Sequence, residues 1–310
     1  MERFALAAAV VLGFALTAAL CSLFVPLRRV LERREQQQPV QSEPPRPAPL
    51  RAPLWGGLCA AAGTVAAVGV GWLAACVGQP ELLGSEGRLM TRLLTALAGS
   101  LAFGVVGLAE DLARMRSPAA LGLRRDVRLL LEALAAAFVL LLLGSAVPFL
   151  WAVLMVALAE CARIAERDEG AVCGAAFVAM LALMMVEAGL GVSGLAVLPG
   201  ALAGALVALG LWAFPPARLG VGCCGSLLAA GAIGCIPLSL DMTSLTVPLA
   251  LPFWAAGGLL TAQLLCAKRT GKPLRCWVKK HKMSPETVFL CSFALSAVGY
   301  ILALALLRWC

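Results

Sequence analysis

Acidic side chains are scarce in this chain, and five of its 17 fall in two tight groups. Glu110-Asp111 form the first; Glu166, Asp168 and Glu169 form the second, with Glu160 just ahead of it. Paired carboxylates suit a Mg2+ site, because that ion takes hard oxygen ligands and keeps water and phosphate oxygens in its shell. Basic residues gather nearby, at Arg114, Arg116, Arg124, Arg125 and Arg128, and in a run of seven from Lys268 to Lys282 that encloses the only histidine, His281. Carboxylates for a metal and fixed cations for phosphate oxygens are what phosphoryl chemistry asks of a protein. The plainer reading of the same residues is solvated loop charge.

The elements that would carry these groups are transmembrane helices. The chain has 310 residues, 61% of them hydrophobic and 14% charged, with a mean hydropathy of +0.93. A water-soluble domain of this size needs far more charged surface. The apolar residues come in long runs, such as Phe4 to Val25 and Leu129 to Leu143. They show no period-two alternation, which fits spanning helices and not an outer-membrane barrel. Breaks at charge and turn clusters predict an all-α bundle of about ten spans: 4–26, 53–77, 90–109, 127–145, 147–162, 171–189, 194–214, 223–240, 246–267 and 287–308. One membrane domain, 1–310, therefore accounts for the sequence. Its two longest cytoplasmic loops are an extended Pro- and Gln-rich one over 28–53 and a basic one over 268–286.

Lys and Arg set the orientation. When the ten spans alternate sides, one side receives only Arg3, Arg88, Arg92 and Arg308, and the other takes the remaining 21 of 25 basic residues. Both termini are then outside and the basic side is cytoplasmic. The net charge of +8 follows from this rule, and no nucleic acid is needed to explain it. A basic cytoplasmic face also favours anionic lipids and phosphate-bearing substrates. The first span has Arg3 beside Glu2 before it and Arg28, Arg29, Arg33 and Arg34 after it. That polarity predicts a retained span with its N-terminus outside, not a cleaved signal.

The twelve cysteines do not form a framework. Cys21, Cys59, Cys76, Cys173, Cys235, Cys266 and Cys291 fall inside spans, where a thiol acts as a small hydrophobe. Cys223-Cys224 is a vicinal pair without zinc spacing. Pro248 and Pro252 lie inside the ninth span and should kink or break it. Glu132 and Glu187, within or at the end of spans, are expected to snorkel or to pair inside the bundle.

Short motifs recur in an order that resembles a known family. Pro53-Leu54-Trp55-Gly56-Gly57 opens the second span, and Gly107-Leu108-Ala109-Glu110-Asp111 closes the third. Leu121-Gly122-Leu123 and Arg128 precede a Leu-rich helix. Arg163 to Gly170 carries Glu166 and Glu169, Gly222-Cys223-Cys224-Gly225-Ser226 opens the eighth span, and the Lys268–Lys282 loop ends in Lys280-His281-Lys282. Over essentially the whole chain this is similar to the polyprenyl-phosphate N-acetylhexosamine-1-phosphate transferases, above all the phospho-N-acetylmuramoyl-pentapeptide transferase branch. The resemblance implies a bacterial inner membrane, ten spans and a cytoplasmic active site that moves a phospho-amino-sugar from a UDP donor to undecaprenyl phosphate, in cell-wall (peptidoglycan) synthesis.

By the same resemblance, Asp111, Glu110 and His281 are the catalytic candidates, and Arg128, Arg163, Lys280 and Lys282 the phosphate-binding ones. Asp111, Glu166 and Glu169 would hold Mg2+. The partners are undecaprenyl phosphate, a UDP-amino-sugar, membrane lipids and a second copy of the chain as a homodimer. The sequence also departs from the family. Cys223 stands where the family has a metal-ligating aspartate, Glu110 replaces the first aspartate of a pair, Arg163 replaces an asparagine, and one histidine remains of a triplet. Two readings follow, an active transferase with a diverged metal site and a pseudoenzyme that binds lipid phosphate or a wall-synthesis partner. A lipid transporter or flippase is the remote third.

Overall fold

The computed structural model describes residues 2–36, 55–78, 87–116, 122–143, 149–166, 169–192, 194–214, 218–270 and 284–309. Among them every regular element is helical: α1 (Glu2–Gln36), α2 (Gly56–Gly78), α3 (Gly87–Arg116), α4 (Arg125–Leu143), α5 (Phe149–Ala165), α6 (Glu169–Gly189), α7 (Val197–Ala213), α8 (Gly222–Ser239), α9 (Thr246–Leu249), α10 (Leu251–Thr270) and α11 (Pro285–Trp309), with a 3-10 turn at Thr243–Leu245. Six helices are long and apolar enough to cross a membrane, and a seventh span results if α9 and α10 are taken as one. Those two meet at 62°, at the break expected from Pro248 and Pro252. The other three helices fall at expected spans but are shorter or more polar. α4 carries Arg125, Asp126, Arg128 and Glu132, α5 has 17 residues with Glu160 and Arg163, and α7 has 17 residues.

α8 is the axis of the bundle, because every one of its residues is buried. It has no polar face beyond Ser226 and Ser239, and a helix that is apolar all round belongs inside. α2, α3, α5 and α6 pack around it. α1 and α11 bury only 22% and 17% of their most apolar windows, and Leu23, Val77, Leu141 and Phe149 stand out from the surface. An apolar exterior on this scale suits hydrocarbon and not water, and the protein is a multi-pass membrane protein.

Three boundaries differ from expectation where charge is concentrated. α10 runs to Thr270, so Lys268 and Arg269 belong to a helix and not to the basic loop expected over 268–286. α1 continues to Gln36, so 28–36 is not the start of an extended loop. Its segment Arg28-Arg29-Val30-Leu31-Glu32-Arg33-Arg34-Glu35-Gln36 is made almost wholly of strong helix formers. α3 runs on to Arg116, so Glu110-Asp111 lie within a helix and not at its end. Glu110 and Arg114 pair one turn apart, and Arg114 and Arg116 sit where the helix dipole favours cations. The loop 271–283, with His281, Lys280 and Lys282, lies outside the described residues.

Candidate functional site

The site is built where α3 meets the start of α8. A Cβ at Gly107 would come within 2.5 Å of the Cys223 carbonyl carbon, so only glycine lets these two backbones touch. Gly222 takes φ +68°, a left-handed conformation that turns the incoming chain into the helix. The α8 N-terminus then points at α3. Asp111 accepts the Cys223 N–H on Oδ1 at 3.0 Å and the Cys224 N–H on Oδ2 at 2.9 Å. A carboxylate from one helix therefore caps the unsatisfied amides of another. On the far side of the same turn, the Gly56 and Gly57 N–H groups donate to the Gly220 and Val221 carbonyls at 3.1 and 3.0 Å. The glycine motif opening α2 thus anchors the scaffold.

The end of α5 closes the site. Glu166, in the turn after it, accepts the Cys223 thiol on Oε2 at 2.8 Å. Ligand atoms of Asp111, Glu166 and Cys223 lie within 4.8 Å of one another, and all three residues are buried. The fold therefore gathers three positions drawn from three separate motifs. It also brings Glu110, Arg128 and Arg163 close, with roles different from those expected. Arg114 bridges Glu110 at 2.9 Å and Glu166 at 3.1 Å. Arg128 holds Glu160 at 2.8 Å, Glu110 at 3.6 Å and Glu132 at 4.0 Å, while Arg163 holds Glu160 at 2.8 Å. Arg128 and Arg163 are engaged by carboxylates here and do not face an open phosphate site.

Within this network four carboxylates, Glu110, Glu132, Glu160 and Glu166, meet three guanidiniums. Glu132 is fully buried and neither of its oxygens has a hydrogen-bond partner, so it pairs loosely with Arg128 and does not snorkel. Glu187 is also buried, and its Oε2 lacks a partner. Glu169 begins α6, but its side chain is outside the described residues, as is Asp168. Arg114 and Glu160 stand among the charged groups of the sequence but have no place in the roles that the resemblance assigns, and the structure puts both in the network. Arg114 was legible as the i+4 partner of Glu110, whereas the reach of Glu160 to Arg128 needed the fold.

The donor set does not suit Mg2+. One of the three converging ligands is a thiol, a soft donor that must lose its proton to bind a metal. Both oxygens of Asp111 already accept backbone amides, and a guanidinium already sits against Glu166. The cation in this site is the protein's own. No protein-family model matches the chain, and no curated protein matches it.

Proposed function

We propose that the chain is a bacterial inner-membrane protein on the plan of the glycosyl-1-phosphate transferases, and that it binds a polyprenyl phosphate at its cytoplasmic face without metal-dependent turnover. In this reading about ten spans cross the bilayer, both termini are outside, and the Lys268–Lys282 stretch supplies the cations that a phosphate headgroup meets. Lysines serve this purpose as point charges. An apolar groove beside the site, lined by Ala165, Val172, Pro252, Phe253, Val288 and Leu295, offers the start of a prenyl path next to Glu166.

The observation that carries the reading is Arg114. Its guanidinium joins Glu110 to Glu166 at the point where the family-like motifs converge. It neutralises carboxylates that a transferase would present to a divalent ion, and loss of such an ion removes several kcal/mol of transition-state stabilisation, on the order of 3. The convergence of Asp111, Glu166 and residue 223 within 4.8 Å favours a second reading, an active transferase with an altered metal centre.

One assay separates the two. Purified protein in lipid nanodiscs is given undecaprenyl phosphate, Mg2+ or Mn2+, and UDP-N-acetylmuramoyl-pentapeptide or UDP-N-acetylglucosamine. The expected outcome is saturable binding of the lipid phosphate with no release of UMP. UMP above background establishes the transferase, and failure to bind the lipid phosphate removes the binding reading.

A further inference from the structure

α1 and α2 pack antiparallel along a row of contacts whose residue numbers sum to nearly the same value. A Cβ built on Gly71 would lie 3.7 Å from the Ala9 Cα, and one built on Gly63 would lie 3.2 Å from the Thr17 Cα. The Gly63 and Thr17 backbones are therefore within about 5 Å of each other, allowing one C–C bond for the absent Cβ. One turn beyond that contact on each helix stand Cys21 and Cys59. One further turn brings Phe24 and Trp55 into a parallel stack at 5.8 Å between centroids. The cysteine pair is thus bracketed by direct contacts on both sides. Both residues are buried, 0% and 1% exposed, in an apolar cluster with Ala60, Ala205 and Leu209.

A disulfide spans opposed Cα atoms about 4.4–6.8 Å apart, and the close approach one turn away, at Gly63 and Thr17, is of that order. Cys173 of α6 shares the cluster. Cys21 and Cys59 are the two that the α1–α2 register sets opposite each other, one turn from the Gly63–Thr17 contact. An uncharged product suits an apolar cluster better than a metal thiolate does.

We propose that Cys21 and Cys59 form a redox-active dithiol that closes to a disulfide, stapling α1 to α2, under a membrane-soluble organic hydroperoxide. In the balanced step two thiols and ROOH give the disulfide, ROH and water. The S–S bond forms and the O–O bond breaks, the sulfurs lose two electrons, and the two thiol protons leave with the alkoxide and hydroxide. Cys59 lies three residues from Gly56, whose amide is fixed to Gly220. The staple therefore ties α1 to the scaffold that leads into α8.

Cys21 is the only cysteine ahead of the 37–54 segment, which makes the test direct. A protease site is placed in that segment, and the full-length protein in native membranes is treated with cumene hydroperoxide, cleaved, and run on a denaturing gel without reductant. The expected result is a rise of about tenfold in the fraction of N-terminal fragment that stays linked, reversed by dithiothreitol. Cys21→Ser and Cys59→Ser should each abolish the link, and Cys173→Ser should leave it. Co-purification of the two fragments in mild detergent shows that each variant is folded. Fragments that separate after oxidation overturn the proposal, and so does a link that survives Cys59→Ser or is lost in Cys173→Ser.

Discussion

Replacing Arg114 by alanine strips the cation from Glu166 and leaves Glu110 only the longer contact with Arg128 at 3.6 Å; the two carboxylates are 8% and 2% exposed and have little water to turn to. Breaking a buried ion pair from one side costs about 3–5 kcal/mol, chiefly because the remaining charge is left uncompensated. Arg114→Ala should lower unfolding stability by that amount, and Arg114→Lys by less, since a lysine keeps the charge but cannot fork between two carboxylates. Denaturation in mixed micelles measures both. A resident arginine also predicts that Mg2+ or a chelator leaves the melting temperature of the natural chain unchanged. The doubly substituted Arg114→Ala, Cys223→Asp protein offers carboxylates at 111, 166 and 223 without the guanidinium that sits against Glu166, so added Mg2+ should raise its melting temperature. A Mg2+-dependent shift in the natural chain would defeat the internal-cation reading. Much of this site was legible as residue types: the carboxylates at 110, 111 and 166 and the odd thiol at 223 are visible in the sequence. The ion-pair partners were not, because Glu160 reaches Arg128 across 32 positions and no local spacing announces that contact.

At the scale of the element, the helix start at Gly222 is held by a side chain from elsewhere. Helix N-termini expose amides that must find acceptors, and α8 has no capping side chain of its own at Val221. Asp111 fills that role from α3, so its loss should be felt in α8. Asp111→Ala leaves two buried amides without acceptors and should cost about 1–3 kcal/mol. Hydrogen exchange should then quicken at Cys223 and Cys224 and not in the middle of α8. Uniform loss of protection along α8 would mean that Asp111 acts on packing and not as a cap. Gly107→Ala, which forces the α3 and α8 backbones apart, should cost about 3 kcal/mol by overpacking and weaken both helices together. The positions of the helices could be read from the sequence, because apolar runs bounded by charge define them. The over-run of α1 to Gln36 could not, since charged helix formers beyond a span look the same as a solvated loop until the backbone is seen.

Across the whole molecule the charged network sits at one end, while the Arg92–Asp241 pair at 2.8 Å belongs to the end expected to face outward. That arrangement makes a topology experiment decisive, because the three helices that are short or polar affect it in different ways. If α7 failed to cross, every later segment would change sides, and the Lys268–Lys282 stretch would face outward against the distribution of basic residues. If α4 and α5 both failed, the later segments would keep their sides and only residues 144–148 between them would move. Single cysteines in an otherwise cysteine-free chain report this, labelled in intact cells by a maleimide that cannot cross the membrane. Ser145→Cys and Ser244→Cys should label, whereas Ser42→Cys and Lys272→Cys should label only after the membrane is opened. A silent Ser145→Cys with the others as expected would leave α4 and α5 as a hairpin on the cytoplasmic side. That outcome would place Glu132 and Glu160 at an aqueous surface, where a buried, half-satisfied network has no reason to persist. Labelling of Ser145→Cys would instead place α4 and α5 across the membrane, with Glu132, Arg128 and Glu160 toward the end away from residue 145.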